Sequence, residues 1–245
     1  IQFRKIFLLP ANTKLQIFVS AESRYEGYID GQRLGHGPLR SNKGYQSFDT
    51  YTLELEPGKH SICFLVHYFG VSTAVSELSR PGLIAEVRDS NNNIIMKTDY
   101  SWRCKVSTLF EKDVPELMSH HSFWEIQDAR KEDIGWTTIS FIDKGWNEAS
   151  ELGPYYMKPW ERLIPADIPS LAEQWVGPED CVACGNFSPA PLGTFRPNVV
   201  AEEVVNRKRQ SLSKNDAIQV SMQSIHINHS DPYMGRYFVI DFGRE

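Results

Sequence analysis

The sequence predicts an all-β protein, an antiparallel β-sandwich of the jelly-roll kind, followed by a linker and the start of a second β domain. Three observations carry that prediction. Apolar residues recur at the two-residue period of strands, turn signals arrive about every ten to fifteen residues, and no segment before about residue 110 has helical periodicity.

The first strands are expected at Phe3 to Leu9 and Leu15 to Ser20, separated by Pro10-Ala11-Asn12, with Leu15, Ile17 and Val19 on one face. Tyr25, Gly27 and Ile29 alternate with Arg24, Glu26 and Tyr28, and Asp30-Gly31 supplies the dipeptide of a primed hairpin turn. Gly31 to Gly44 holds four glycines, Pro38, Arg33, Arg40 and Lys43 but no acid, so a mobile basic loop is predicted there. Phe48 to Leu53 resumes an extended pattern. Glu56-Pro57-Gly58 forms a turn, and the almost continuous apolar run Ser61 to Phe69 reads as a strand covered on both faces. Leu83 to Arg88 and Ile94 to Thr98 flank Asp89-Ser90-Asn91-Asn92-Asn93, whose asparagines tolerate positive φ, as a further hairpin. Ser101 to Val106 continues the sheet.

From Glu111 the texture changes. Asp113 is placed to cap a short helix through Met118, and Gly135, Trp136, Gly145 and Trp146 punctuate an irregular aromatic stretch expected to wrap the sandwich. The proline-rich stretch from Pro154 to Pro197 reads as linker, giving domains at 1–162 and 163–245. Beyond it Ile218, Val220 and Met222 alternate, the phase slips at Ile225 and Ile227 as a bulge or strand change requires, and Tyr233 to Phe242 forms another strand. These elements are too few to close a sheet, so the second domain is expected to be truncated.

A net charge of -5 and a pI near 5.8 argue against general nucleic-acid or anionic-membrane partners. No stretch approaches the apolar length of a membrane span, and the start at Ile1 fits a processed or trimmed soluble fragment. Four cysteines are too few for a disulfide-built scaffold. A periplasmic or extracellular location is favoured over a cytoplasmic one.

The basic loop is the most promising ligand surface. Arg40, Ser41 and Asn42 offer planar and small polar donors, Tyr45 and Tyr51 offer rings, and Asp49, His67 and Tyr68 complete the carbohydrate-binding candidates. The alternative for these residues is a solvated loop over core rings, and a core imidazole for His67. Glu125 and Asp128 beside Arg130 read as a structural ion pair rather than a catalytic acid pair. Cys181-x-x-Cys184 lacks a second ligand pair for zinc and reads as loop thiols; His226 and His229 are spaced for opposite strand faces. No catalytic residue, metal or cofactor is assigned.

Several blocks together resemble a known family. They are Tyr25-Glu26-Gly27-Tyr28-Ile29-Asp30-Gly31 with Gly35-His36-Gly37-Pro38-Leu39-Arg40-Ser41, then Val66-His67-Tyr68-Phe69-Gly70, then Trp124-Glu125-Ile126-Gln127-Asp128-Ala129-Arg130 with Gly135-Trp136. Trp146-Asn147-Glu148-Ala149, Leu163-Ile164-Pro165 to Ile168-Pro169-Ser170-Leu171 and the closing Tyr237 to Glu245 follow in the same order. In this order they resemble bacterial α-L-rhamnosidases of glycoside hydrolase family 78. The resemblance implies the non-catalytic, galactose-binding-like amino-terminal part of an inverting hydrolase whose acid and base lie in an (α/α)6 barrel. It also implies two partners, a glycan containing α-L-rhamnose and the carboxy-terminal catalytic domain of the same polypeptide. The segment around Cys181 and Cys184 matches no family block. Three readings stay open: an accessory, carbohydrate-binding region of such an enzyme, a self-sufficient carbohydrate-binding module, and a structural sandwich that docks a neighbouring domain.

Overall fold

A computed structural model of the chain describes residues 1–41, 44–73, 77–112, 114, 123, 125–169, 173–174, 176–187, 220–221, 224–225 and 235–242. The chain divides into two units, Ile1–Pro169 and Ser170–Glu245. The strands of the first are β1 (Gln2–Leu9), β2 (Thr13–Glu22), β3 (Arg24–Ile29), β4 (Gln32–Gly37), β5 (Gln46–Leu55), β6 (Gly58–His67), β7 (Gly82–Asp89), β8 (Ile94–Lys97), β9 (Arg103–Lys105), β10 (Asn147–Glu148) and β11 (Leu163–Pro165). They form two sheets, ordered β10-β9-β1-β6-β3-β4 and β11-β5-β2-β7-β8. All pairs are antiparallel except β11 with β5, which is parallel.

Strand alternation puts one face of each sheet into a common core. Leu15, Ile17, Val19 and Ala21 of β2 and Ala85 and Val87 of β7 meet Tyr25, Ile29, Ile62, Phe64 and Val66 of the other sheet, with Trp102 closing one side. The β-sandwich expected from the sequence is the fold observed. Tyr25 to Ile29 pairs antiparallel with Ile62 to Val66.

The predicted basic loop includes a strand, Gln32–Gly37. Asp30 (φ 49°) and Gly31 (φ 84°) make the expected hairpin turn, and the returning residues Gln32–Gly37 pair with β3 as an edge strand. The glycines that suggested a loop instead permit close packing: a Cβ on Gly35 would lie 2.8 Å from the Tyr51 hydroxyl. The turn at Asp89 forms as expected, with Asn92 at φ 66° and the Asp89 carboxylate accepting from the Asn91 and Asn93 amides. The proposed helix at Asp113 to Met118 falls almost wholly outside the described residues. Leu163–Pro165, assigned from the sequence to the second domain, is hydrogen-bonded to Gln46–Phe48 in the first unit.

The second unit contains β12 (Asp180–Phe187), β13 (Val220–Ser221), β14 (Ser224–Ile225) and β15 (Gly235–Asp241). β12 pairs antiparallel with β15, with a register shift between Cys181 and Ala183. The stretch read as linker therefore includes a strand, and Cys181 and Cys184 are strand rather than loop residues. Their partners lie more than fifty positions downstream, a pairing that local pattern does not reveal. The phase slip before Ile225 is a reversal, since β13 and β14 pair with each other.

Two polar clusters lock the first unit. Arg4 is 1% exposed on the outer face of the first sheet. Its guanidinium donates to the Trp136 carbonyl (3.0 Å), the Thr138 carbonyl (2.6 Å) and Asp143 Oδ2 (2.7 Å), and it lies 5.6 Å from the Phe141 ring centre. Ser61 adds a hydroxyl bond to the Thr137 carbonyl at 2.7 Å, and Trp136 packs edgewise on Tyr28. The aromatic stretch thus wraps the sheet as expected, fastened by one planar five-donor group. The second cluster joins two turns. His60 Nδ1 bonds Asp30 Oδ2 at 2.6 Å and Nε2 bonds the Glu56 carbonyl at 2.9 Å. Both partners are acceptors, so the bound ring is the doubly protonated imidazolium. Burial alone lowers the His60 pKa, but the bonds to Asp30 and Glu56 and the Asp30 charge outweigh it and leave the value raised above 6.5.

Replacing Arg4 with Met strips three carbonyl and carboxylate acceptors of their donor, so a loss of about 3 kcal/mol of unfolding free energy is expected in urea titrations. Unchanged stability in that variant contradicts the role given to Arg4. The His60 contribution has its own pH signature. It is fully present below the ordinary imidazole value of 6.5 and is lost as pH rises through the raised folded value. A His60→Gln chain should lack this alkaline decline in melting temperature, and an identical pH profile counts against the charged bridge.

Candidate functional site

The register collects several loops at one end of the sandwich. Arg24 faces His67 across the β3–β6 pair, Tyr25 faces Gly37 across β3–β4, and Glu22 faces Gly82 across β2–β7. The segments after Gly37, after His67 and before Gly82 therefore leave at the same end as the start of β5.

Asp49 and Tyr51 point inward from β5. Tyr25 Oη donates to Asp49 Oδ2 at 2.6 Å and lies 3.0 Å from Tyr51 Oη. Burial raises the Asp49 pKa, opposed by the Tyr25 hydrogen bond and the His36 charge; burial likewise raises the Tyr25 and Tyr51 hydroxyls. A Cβ on Gly37 would sit 1.9 Å from Asp49 Oδ2, so the edge strand lies flat against this carboxylate. These two candidates bridge the sheets from within.

The other candidates line the loops. Ser41 Oγ accepts from the Ser47 amide at 2.7 Å and donates to the Leu39 carbonyl at 3.2 Å, closing the loop on β5. Arg40 is exposed beside it, and Asn42 lies outside the described residues. Tyr45 is exposed, with the Arg162 guanidinium 5.2 Å from its ring centre and donating to its hydroxyl at 2.9 Å. Tyr68 is half-buried and donates to the Ser79 carbonyl at 2.8 Å. His67 is exposed rather than in the core, its ring 5.1 Å from that of Phe69 at 89°. Surrounding protein mass nevertheless lowers its pKa, with Glu125 pulling the other way.

Asp128 receives both Arg130 Nε (2.8 Å) and Nη2 (2.9 Å) and caps the short 3-10 turn Ala129–Lys131, so this acid has the structural role expected of it. Among the described residues no group of three or more His, Cys, Asp or Glu is arranged to hold a metal ion. His226 and His229 lie outside the described residues.

Sequence pattern gave no hint of a second cluster on the outer face of the other sheet. Glu22 and Gly82 are register partners, and a Cβ on Gly82 would lie on that face 2.6 Å from Trp160 Cη2 and 2.8 Å from Leu152 Cδ1. The Trp160 indole thus occupies the place of a Gly82 side chain, beside Glu22. Glu22 is buried with one long bond, from Ser23 Oγ at 3.5 Å, and burial raises its pKa to about 6. Trp160 is 3% exposed, and its Nε1 has no hydrogen-bond partner among the described residues. Between Leu152 and Trp160 the chain carries Tyr155 and Tyr156, both exposed.

This architecture has counterparts among known proteins. A GH78 family rhamnosidase of Bacillus sp. GL1 superposes on 75% of the chain with a TM-score of 0.70 and 33% identity. Over that length the chain is GH78-like. An α-L-rhamnosidase of Streptomyces avermitilis is 25% identical over 173 residues, 59% of the chain. The α-L-rhamnosidase from Dictyoglumus thermophilum shares the fold, with a TM-score of 0.51 and 21% identity over 78% of the chain. The GH78-like region spans 15% of the curated Streptomyces relative and about a fifth of these two solved chains. No family model matches it.

Glu22 has a measurable signature. Its folded pKa of about 6 exceeds the ordinary 4.5, so the folded state holds this proton more tightly than the unfolded chain. Stability from this group should fall as pH rises between those values. Glu22→Gln should flatten that part of the melting-temperature profile, and an unchanged slope contradicts the carboxyl's burial beside Trp160.

Proposed function

We propose that this region is the non-catalytic accessory part of an α-L-rhamnosidase-like glycoside hydrolase, and that its loop end faces rhamnose-containing glycans. The observation that carries this reading is the 33% identity to the Bacillus rhamnosidase over three quarters of the chain. The small share of each relative that the chain spans supports an accessory role, with hydrolysis belonging to other parts of the polypeptide. Residues 170–245 are proposed as the opening strands of a further β domain.

Within the loop end, Arg40, His67 and the Tyr45–Arg162 pair present side chains outward, whereas Asp49 and Tyr51 only support the loops from below. A guanidinium, an imidazole and a ring suit sugar hydroxyls and one stacking contact. Such a shallow surface binds weakly, with Kd on the order of tens of micromolar to millimolar. A second reading, a structural sandwich that docks a neighbouring domain, is favoured by the number of candidate side chains already bonded inside the fold: Ser41, Asp49, Tyr51 and Tyr68.

Titration with rhamnose-containing oligosaccharides decides between them. Amide signals of Arg40, Ser41, Tyr45 and His67 are expected to shift, and Arg40→Ala should weaken the response without lowering the melting temperature. If millimolar sugar moves no signal anywhere in the chain, the docking reading replaces this one.

A further inference from the structure

Both ends of the segment from Leu152 to Trp160 rest on one point of the second sheet. Leu152 Cδ1 and Trp160 Cη2 would lie within 2.8 Å of a Cβ on Gly82, so side chains from both ends of the segment meet the sheet at the same place. The interior of the loop is also fixed. The Met157 amide donates to the Pro154 carbonyl at 3.0 Å, and the Met157 sulfur packs over Gly153, whose φ is 147°.

Tyr155 and Tyr156 stand on this anchored loop, 71% and 63% exposed. Their ring centres are 5.4 Å apart at an interplanar angle of 82°. In that edge-to-face arrangement only one ring face is covered by the partner ring. Neither hydroxyl has a hydrogen-bond partner among the described residues, in contrast to the hydroxyls of Tyr25, Tyr28, Tyr45, Tyr51 and Tyr68. Glu151, Lys158, Glu161 and Arg162 flank the pair and are exposed.

We propose that the Tyr155–Tyr156 pair is the aromatic platform on which a 6-deoxyhexose of a glycan chain stacks. This inference rests on the glycan-facing reading above and moves its principal contact from the Gly37–Gln46 loop to the Leu152–Trp160 loop. The chemistry is complementary. A 6-deoxyhexose has a methyl group and a ring face of C–H bonds that suit an aromatic face, while its hydroxyls suit the two phenols and the flanking charges. The anchored loop presents the rings already ordered, so little conformational freedom remains to be lost on binding. Tyr45 is less suited to the principal stacking role, because the Arg162 guanidinium already lies against its ring.

The experiment measures binding of a rhamnose-terminated oligosaccharide to the full 245-residue chain and to Tyr155→Ala, Tyr156→Ala and Arg40→Ala chains. Each tyrosine substitution is expected to weaken binding about two- to tenfold, the range of one aromatic contact, with melting temperature unchanged because both rings are exposed. Tyr155→Phe and Tyr156→Phe should retain most of the affinity, since the stacking face survives. If Arg40→Ala weakens binding while both tyrosine-to-alanine chains bind like the parent, the platform assignment falls and the glycan-facing reading stands. Absence of binding by the parent chain overturns both.

Discussion

The Tyr25 hydroxyl is the contact on which the geometry of the loop end depends. It belongs to the first sheet, yet its acceptor Asp49 and its neighbour Tyr51 belong to the second, so one phenol fixes how the sheets register at that end. A carboxylate taken out of water needs such a donor, and a phenol taken out of water needs such an acceptor. The edge strand is then constrained in turn. Gly37 must pass so close to Asp49 that no side chain fits, which sets where the chain leaves toward Arg40. Ring packing completes the arrangement, with Tyr25 edge-on to Phe64 in the core.

Irregular chain covers both outer faces of the sandwich, and it does so by different means. On the first sheet a buried guanidinium collects backbone carbonyls that a loop cannot satisfy by itself. On the second, an indole lies over a glycine, a contact of shape with a poorly solvated carboxyl beside it. Each cover leaves one buried polar atom without a partner among the described residues, Gln2 Oε1 on the first face and Trp160 Nε1 on the second. The first is held chiefly by hydrogen bonds and the second chiefly by shape.

Most of the sandwich was legible in the sequence because half-buried antiparallel strands announce themselves. Leu15, Ile17 and Val19 alternate with polar residues, and Ile62 to Val66 form the covered run that the core requires. Strand β4 was hidden because its glycines serve packing against Tyr51 and Asp49, and composition alone does not distinguish that use from a flexible loop. Strand β12 was hidden for another reason: its partner is remote in sequence. The candidate residues divided along the same line. Tyr45 and His67 are at the surface as a binding role requires, but Asp49 and Tyr51 have inward parity that only the register reveals.

Hydrogen bonding separates five tyrosines of the first unit from Tyr100, Tyr155 and Tyr156, whose hydroxyls have no partner among the described residues and which are all exposed. Tyr25, Tyr28, Tyr45, Tyr51 and Tyr68 each have a bonded hydroxyl within the fold, so a ligand that recruits one must share it with a protein partner or displace that partner. Tyr155 and Tyr156 carry no such cost among the described residues, and their rings are already outside the core. The contrast follows from where the chain places them. Tyr25 and Tyr51 meet each other and Asp49 between the sheets, whereas Tyr155 and Tyr156 lie in irregular chain between Leu152 and Trp160, both of which approach Gly82. The missing side chain at Gly82 is thus what lets Leu152 and Trp160 close on the second sheet at a single position.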